Sequence, residues 1–362
     1  MSTLNDLIKQ FCSQGVEYVR LGDLCKITSG EFVNKNKQTT NGCYPVYNGG
    51  TSNTGFYDHY NTDSDKVIIS ARGAAGFVNH IREKFWAGNS CHVLNIFDNN
   101  LLTRYLYFIL LKMTPYIISK RKEGTIPSVT KSSLETLEIP LPPLRVQEEI
   151  VKILDKFTDL ENELENELRM RKMQFNAYRD KLLTFDNGVK FEKLGDLTTI
   201  HRGKRLTKKE LYPNGIYNVY HGTVRIPLGR FDKFNVHGDA VIIVNTGSIG
   251  EIKYCKNNFW CSDGCFWLKS NDKLNNKFIY YYIKQFDVYF QSQKRPGGVP
   301  TIDREIVETL KIPVPPLEKQ KETVEKLDKF NEMCNEISEG LPLEIELRKK
   351  QKNYILNKLL NI

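Results

Sequence analysis

Residues Arg145 to Phe185 read R-V-Q-E-E-I-V-K-I-L-D-K-F-T-D-L-E-N-E-L-E-N-E-L-R-M-R-K-M-Q-F-N-A-Y-R-D-K-L-L-T-F, a stretch without glycine or proline. Apolar side chains return at helical spacing through Ile150, Ile153, Phe157, Leu160, Leu164 and Leu168, and again at Phe175, Tyr178 and Leu182. That is the seam of one long amphipathic helix. At about 1.5 Å per residue it extends roughly 60 Å. The cluster Ile139-Pro-Leu-Pro-Pro-Leu144 sets its start, because proline suits the approach and first turn of a helix but not its interior.

The stretch occurs twice. Ile312-Pro-Val-Pro-Pro-Leu317 leads into Gln320-Lys-Glu-Thr-Val-Glu-Lys-Leu-Asp-Lys-Phe330, which matches Gln147 to Phe157 at an offset of 173. The same offset relates Leu21-Gly-Asp-Leu24 to Leu194-Gly-Asp-Leu197, Tyr44-Pro-Val-Tyr47 to Tyr217-Asn-Val-Tyr220, and Gly124 and Pro127 to Gly297 and Pro300. Between these anchors it slips by one residue, pairing Val67-Ile-Ile69 with Val241-Ile-Ile243 and Phe85-Trp86 with Phe259-Trp260. Beyond Phe330 the second copy gains four residues, so that Leu164 pairs with Leu341 and Arg171 with Arg348, with Ile337 as the added seam position. Gly340 and Pro342 are expected to break or kink that second helix. A repeat this long signals a duplicated domain rather than a solenoid. The expected division is an N-terminal helical segment (1–15), a first domain (16–144), a first helix (145–185), a second domain (186–317) and a second helix (318–362).

The chain of 362 residues suits two domains of about 130 residues with connecting helices. No apolar run approaches the roughly 18 residues of a membrane span, and the start resembles no signal peptide, so a soluble, cytoplasmic protein is expected. A net charge of +9 points to an acidic partner, nucleic acid first. Cys255, Cys261 and Cys265 raise the question of zinc. Their spacing lacks paired C-x2-C knuckles and a fourth ligand, and Cys265 takes the place of Cys91, which has no companions; buried strand thiols are expected.

Within each domain short strands alternate with Gly and Asn turns. Val67-Ile-Ile69 reads as a buried strand followed by Ala71-Arg-Gly-Ala-Ala-Gly76; strands at 77–81 and 91–96, a helix over 101–119 and a basic loop at 120–127 follow. The second domain repeats the plan with Asn245-Thr-Gly-Ser-Ile-Gly250, a helix over 277–290 and a basic loop at 294–300. The scaffold is shared and the loops differ: Arg72 faces Thr246, Ala71 faces Asn245, and Asn48 faces His221. Arg and Asn suit guanine and adenine edges. Arg72 beside Gly73, and Asn245 and Thr246 beside Gly247, are the leading base-contact candidates. Arg121 and Lys122, matched by Lys294 and Arg295, suit phosphates, and Lys204 and Arg205 are further candidates. No nucleotide-binding, methyltransferase or hydrolase signature is found. Asp239, Glu251 and Lys253 have the D...E-x-K form of metal-dependent nucleases, and a stand-alone nuclease is the alternative reading.

The L-G-D-L start, the G-x-x-P loop, the twice-used I-P-x-P-P-L-x-x-Q junction and the helix ending R-K-x-Q...K-L-L together resemble the specificity subunit of type I DNA restriction-modification systems. The resemblance spans nearly the whole chain. It implies an α+β fold of two target-recognition domains, separated and joined by two long antiparallel helices forming a coiled coil. It further implies double-stranded DNA as ligand, two modification (methyltransferase) subunits as direct partners, and restriction subunits joined through them. No cofactor is implied in this chain; S-adenosylmethionine, ATP and Mg2+ would belong to the partners.

Overall fold

The structure, a computed structural model, describes the chain except Met1, 123–126, Asn187, 296–299 and 361–362, and the side chains of 2, 3, 5 and 333–341. Gly124, Gly297 and the side chains of Ile337 and Leu341 thus lie outside the described residues. The chain forms two compact units, Met1–Asn166 with Pro342–Ile362, and Glu167–Leu341.

The first unit runs α1 (Ser2–Phe11), β1 (Tyr18–Arg20), β2 (Cys25–Ser29), β3 (Tyr44–Tyr47), β4 (Phe56–Tyr57), β5 (Lys66–Ser70), β6 (Val78–Ile81), β7 (Trp86–Ala87), β8 (Cys91–Ile96), α2 (Thr103–Ser119), α3 (Lys131–Glu135), β9 (Glu138–Pro140) and the start of α4 (Leu144–Leu182). An antiparallel sheet has the order β2-β8-β5-β6; β4-β3-β7 forms a smaller sheet whose β3–β7 pair is parallel, and β1 pairs with β9. Strand β5 is buried on both faces, which is why it reads as an unbroken apolar run. Val67 and Ile69 join Leu94, Leu106, Ile109, Val146 and Ile150 in the main core, whereas Ile68 faces Phe85, Ala87, Cys91 and Val93.

The second unit repeats the order: β10 (Phe191–Lys193), α5 (Leu194–Leu197), β11 (Thr198–Arg202), β12 (Tyr217–Tyr220), β13 (Gly229–Phe231), β14 (Ala240–Val244), β15 (Ile252–Cys255), β16 (Trp260–Cys261), β17 (Cys265–Ser270), α6 (Asn276–Ile283), α7 (Asp287–Ser292), α8 (Arg304–Glu308), β18 (Lys311–Pro313) and the start of α9 (Leu317–Leu359). Its sheets are β11-β17-β14-β15, β13-β12-β16 and β10-β18. Cys255, Cys261 and Cys265 sit with Ile242, Val244 and Phe259 in the core between the two larger sheets, and burial pushes the Cys255 thiol up to about 12.

Two expectations are corrected. The helix expected over 277–290 is broken by a 3-10 turn at Lys284–Phe286. The break falls where Gly250 packs against the Asp287 carbonyl, so closely that a Cβ on Gly250 would lie 2.8 Å from that oxygen. Conversely, the break expected at Gly340 and Pro342 does not occur: α9 spans Leu317 to Leu359 with Pro342 inside it. A proline removes only its own N–H bond and crowds one carbonyl, and the turns on either side complete the helix.

The junction motif has a physical meaning. The Leu102 N–H donates to Gln147 Oε1 at 3.0 Å, while Gln147 Nε2 donates to the carbonyls of Asn100 (2.7 Å) and Pro142 (2.8 Å). Gln320 does the same for the Asn275 N–H and the carbonyls of Lys273 and Pro315, at 2.8, 2.9 and 2.8 Å. Both glutamines are fully buried. Two turns later the aspartate of the shared Leu-Asp-Lys-Phe segment ties the same helix to its domain. Asp155 pairs with Arg104 at 2.6 Å, and Asp328 pairs with Lys277 at 2.6 Å and accepts from the Tyr281 hydroxyl. Within the first unit the end of α9 lies antiparallel to the start of α4, as Lys352–Glu161 (2.9 Å) and Lys349–Glu165 (2.6 Å) show. Within the second, Phe330 packs on Phe175 and Tyr178.

Candidate nucleic-acid interface

In the first unit three loops meet beyond the end of β5. Gly49 O accepts from Ala74 N at 2.8 Å, Ala71 N donates to Ser90 O at 2.7 Å, and Val129 N donates to Ala71 O at 2.9 Å. Gly73 makes this possible: its φ is +71, and a Cβ there would lie 2.8 Å from the Gly49 carbonyl. The turn leaves Arg72 exposed, and Lys122 is exposed beside it on the basic loop. Arg121, expected to contact a phosphate, is placed differently from Lys122. It is half-buried and its Nη2 donates to the Ala75 carbonyl, so it pins the basic loop to the loop after β5.

Beneath these loops His92 is 6% exposed, its Nε2 on the Val129 carbonyl at 2.9 Å and its Nδ1 without a partner among the described residues. Burial holds its pKa below the ordinary 6.5, with Lys131 and Arg72 adding to the effect and the Val129 bond opposing it. As pH falls through about 6.5 the unfolded chain takes up a proton that the folded imidazole resists, so stability is lost on the acid side. His80, lowered by its own burial, contributes in the same direction. His92→Phe, the residue that the second unit carries as Phe266, is expected to flatten part of this loss. Thermal unfolding at about pH 7.5 and 5.5 tests it, and an unchanged pH dependence would clear His92 of the effect.

The second unit brings together the equivalent loops. Ser248 N donates to Gly222 O at 2.8 Å, Asn245 N to Gly264 O at 3.1 Å, and Ile302 N to Asn245 O at 3.0 Å. Gly247, at φ +99, would place a Cβ 2.6 Å from the Gly222 carbonyl. Lys204, Arg205, Lys294 and Arg295 are exposed, Arg295 paired with Asp303, and Thr246 is half-buried, bridging Thr301. Asn245 is corrected as a direct base contact: it is 3% exposed, with Oδ1 buried and without a partner among the described residues. Its side chain takes the inward place that Ala71 fills in the first unit.

The nuclease reading is overturned by geometry. Asp239 sits opposite Lys256 and Glu251 opposite Val244, five strand positions apart, which is about 17 Å. Two carboxylates so placed cannot share a metal ion. Asp239 has φ +58, as Asp65 has +56 at the matched position, a conformation that aspartate tolerates. Its carboxylate accepts from the Tyr254 hydroxyl at 2.8 Å and from Asn276 Nδ2 at 3.0 Å. Lys253 donates to the Val224 carbonyl and lies over the Tyr220 ring.

One exposed cation on this surface escapes motif reading. Arg225, on the loop after β12, has a side chain 81% exposed and meets Glu251 through Nε at 2.6 Å. Its counterpart at the 173 offset is Ser52, so aligning the two halves residue by residue through this loop exposes it.

Type I restriction modification DNA specificity domains match the chain twice, over residues 13–170 and 187–347. A putative type I restriction enzyme specificity subunit of Haemophilus influenzae is 30% identical over 363 residues, 90% of each chain. A type I restriction enzyme specificity subunit of Escherichia coli is 32% identical over 287 residues, covering 71% of this chain and 70% of that one. Among solved structures, the S subunit of a type I restriction-modification system from M. genitalium has the same fold, with a TM-score of 0.62 at 21% identity over 95% of this chain and 96% of that one. Two matched domains on two units of one plan place this chain in the family of type I restriction-modification DNA specificity subunits.

Proposed function

We propose that this chain is the DNA-recognition subunit of a type I restriction-modification complex and that each unit reads one half of a split, asymmetric site. The carrying observation is the pair of matched frames with unmatched loops. Backbone bonds, left-handed glycines and buried glutamines recur position by position, while the exposed side chains around them change. Arg72 serves as a base-reading residue of the first unit; Thr246 with Gly247 lines the equivalent turn of the second. Lys122, Lys294, Arg295, Lys204 and Arg205 supply phosphate contacts, in keeping with a net charge of +9. Helices α4 and α9 act as an antiparallel coiled-coil spacer and dock two modification subunits, through which restriction subunits join. S-adenosylmethionine, ATP and Mg2+ serve those partners.

Expressing the chain with its cognate modification subunits and sequencing methylated DNA tests this directly: a split consensus is expected, and its absence would sink the reading. Arg72→Ala is expected to cost about 1–3 kcal/mol of discrimination at one base pair and leave the other half-site alone. Lys122→Ala instead weakens all sequences evenly and flattens the salt dependence. A consensus degraded in both halves by Arg72→Ala would reject the division of labour.

A further inference from the structure

The loop His221–Pro227 is held by one carboxylate. Glu251, with a side chain only 13% exposed, accepts through Oε2 from Thr223 Oγ1 at 2.7 Å and from Val224 N at 3.1 Å, and meets Arg225 Nε through Oε1 at 2.6 Å. Behind this loop, Gly222 is stitched to Ser248, and Gly264 N donates to His221 Nδ1 at 3.3 Å. The loop therefore belongs to the same surface as Thr246 and Gly247. In the first unit the position of Glu251 is taken by Phe77 and that of Arg225 by Ser52, whereas the exposed arginine stands at Arg72, opposite Thr246. Each unit thus presents an exposed arginine in this loop cluster, carried on a different loop.

We propose that Arg225 is a base-reading side chain of the second unit, directed at a guanine edge, and that Glu251 is its positioning residue. The inference rests on the functional reading above and names a specificity-determining site within it. With the Arg225 side chain 81% exposed, the ion pair adds little stability, so the value of the Glu251 contact is geometric. Arginine reads guanine through two parallel bonds in a fixed plane, and a side chain held before DNA arrives loses less freedom on binding. Ile226, 73% exposed next to it, offers an apolar surface of the kind that meets a thymine methyl.

The test uses the complex with its modification subunits on a DNA library randomised in both half-sites, with methylated positions read by sequencing. Arg225→Ala is expected to lower discrimination roughly 5- to 150-fold at one base pair of one half-site, with assembly, melting temperature and the other half-site unchanged. Glu251→Ala relaxes the same base pair. Glu251→Gln relaxes it less, because its amide oxygen still accepts from Thr223 and Val224. The double variant relaxes no further than Arg225→Ala, which a merely structural role for Glu251 would not produce. Should Glu251→Ala fail to fold, Arg225→Ala and Glu251→Gln decide the matter. A wild-type complex that modifies no split site overturns the functional reading together with this inference. A split consensus that Arg225→Ala leaves intact, or weakens evenly at every sequence, overturns this inference alone.

Discussion

Gln147→Leu is expected to destabilise the first unit by about 3–5 kcal/mol, a large share of what holds a domain of this size together. Leucine fills much of the space but makes none of the three bonds. The Leu102 N–H and the carbonyls of Asn100 and Pro142 would lose the fully buried Gln147 amide that satisfies all three. Each such loss costs about 1–3 kcal/mol, and here the three groups lie on the approach to α2 and on the proline turn before α4. Gln320→Leu is the matched experiment in the second unit. Hydrogen exchange resolved by peptide separates the two, since each variant should lose protection in its own unit first. A shift below about 1 kcal/mol would show that water takes over the glutamine's bonds.

The second large effect concerns α4 and rests on the proposed role of this helix as the ruler between half-sites. Residues 161–168 read E-N-E-L-E-N-E-L, one four-residue unit twice. A third copy inserted after Leu164 keeps glutamates at 161 and 165, opposite Lys352 and Lys349, and restores the original order beyond. It lengthens the helix by about 6 Å and turns its far end by only about 40°. Against about 3.4 Å per base pair, the unread gap is expected to widen by one to two pairs with both half-sites unchanged. Methylation mapping of the soluble variant reads the gap directly; an unchanged gap would assign the spacing to another part of the chain.

Much of the two-fold frame of mixed helix and sheet is legible in the sequence because its signals are periodic or repeated. The seam of α4 follows a helical period, and β5 and β14 are apolar runs matched at a fixed offset. The smaller sheets are not legible: Phe56–Tyr57 and Trp86–Ala87 are two residues each, too short for any period to register. The parallel pairing of β3 with β7 joins segments about forty residues apart and leaves no local trace. At the candidate interface, polarity next to glycine points to the right loops but not to the right side chains. Asn245 and Thr246 are adjacent and similar in chemistry, yet only one turns outward. Asp239, Glu251 and Lys253 show the converse fault, since a motif written along two strands says nothing of which end of the sheet each member occupies.

The first unit is discontinuous: Ile355, Leu356, Leu359 and Leu360, at the end of α9, pack with Leu106, Val146 and Ile150 in its core, whereas the second unit is one unbroken segment, Glu167–Leu341. On a ribosome, where the chain emerges from its N-terminus, the unit begun first is therefore the last that can be closed. A nascent chain released only as far as Leu341 holds every residue of the second unit and still exposes the apolar patch that awaits Ile355 and Leu359. Until residues 355–360 emerge, that patch needs shelter from other chains, and a stop codon just before Ile355 would be felt in the distant unit built from residues 1–166.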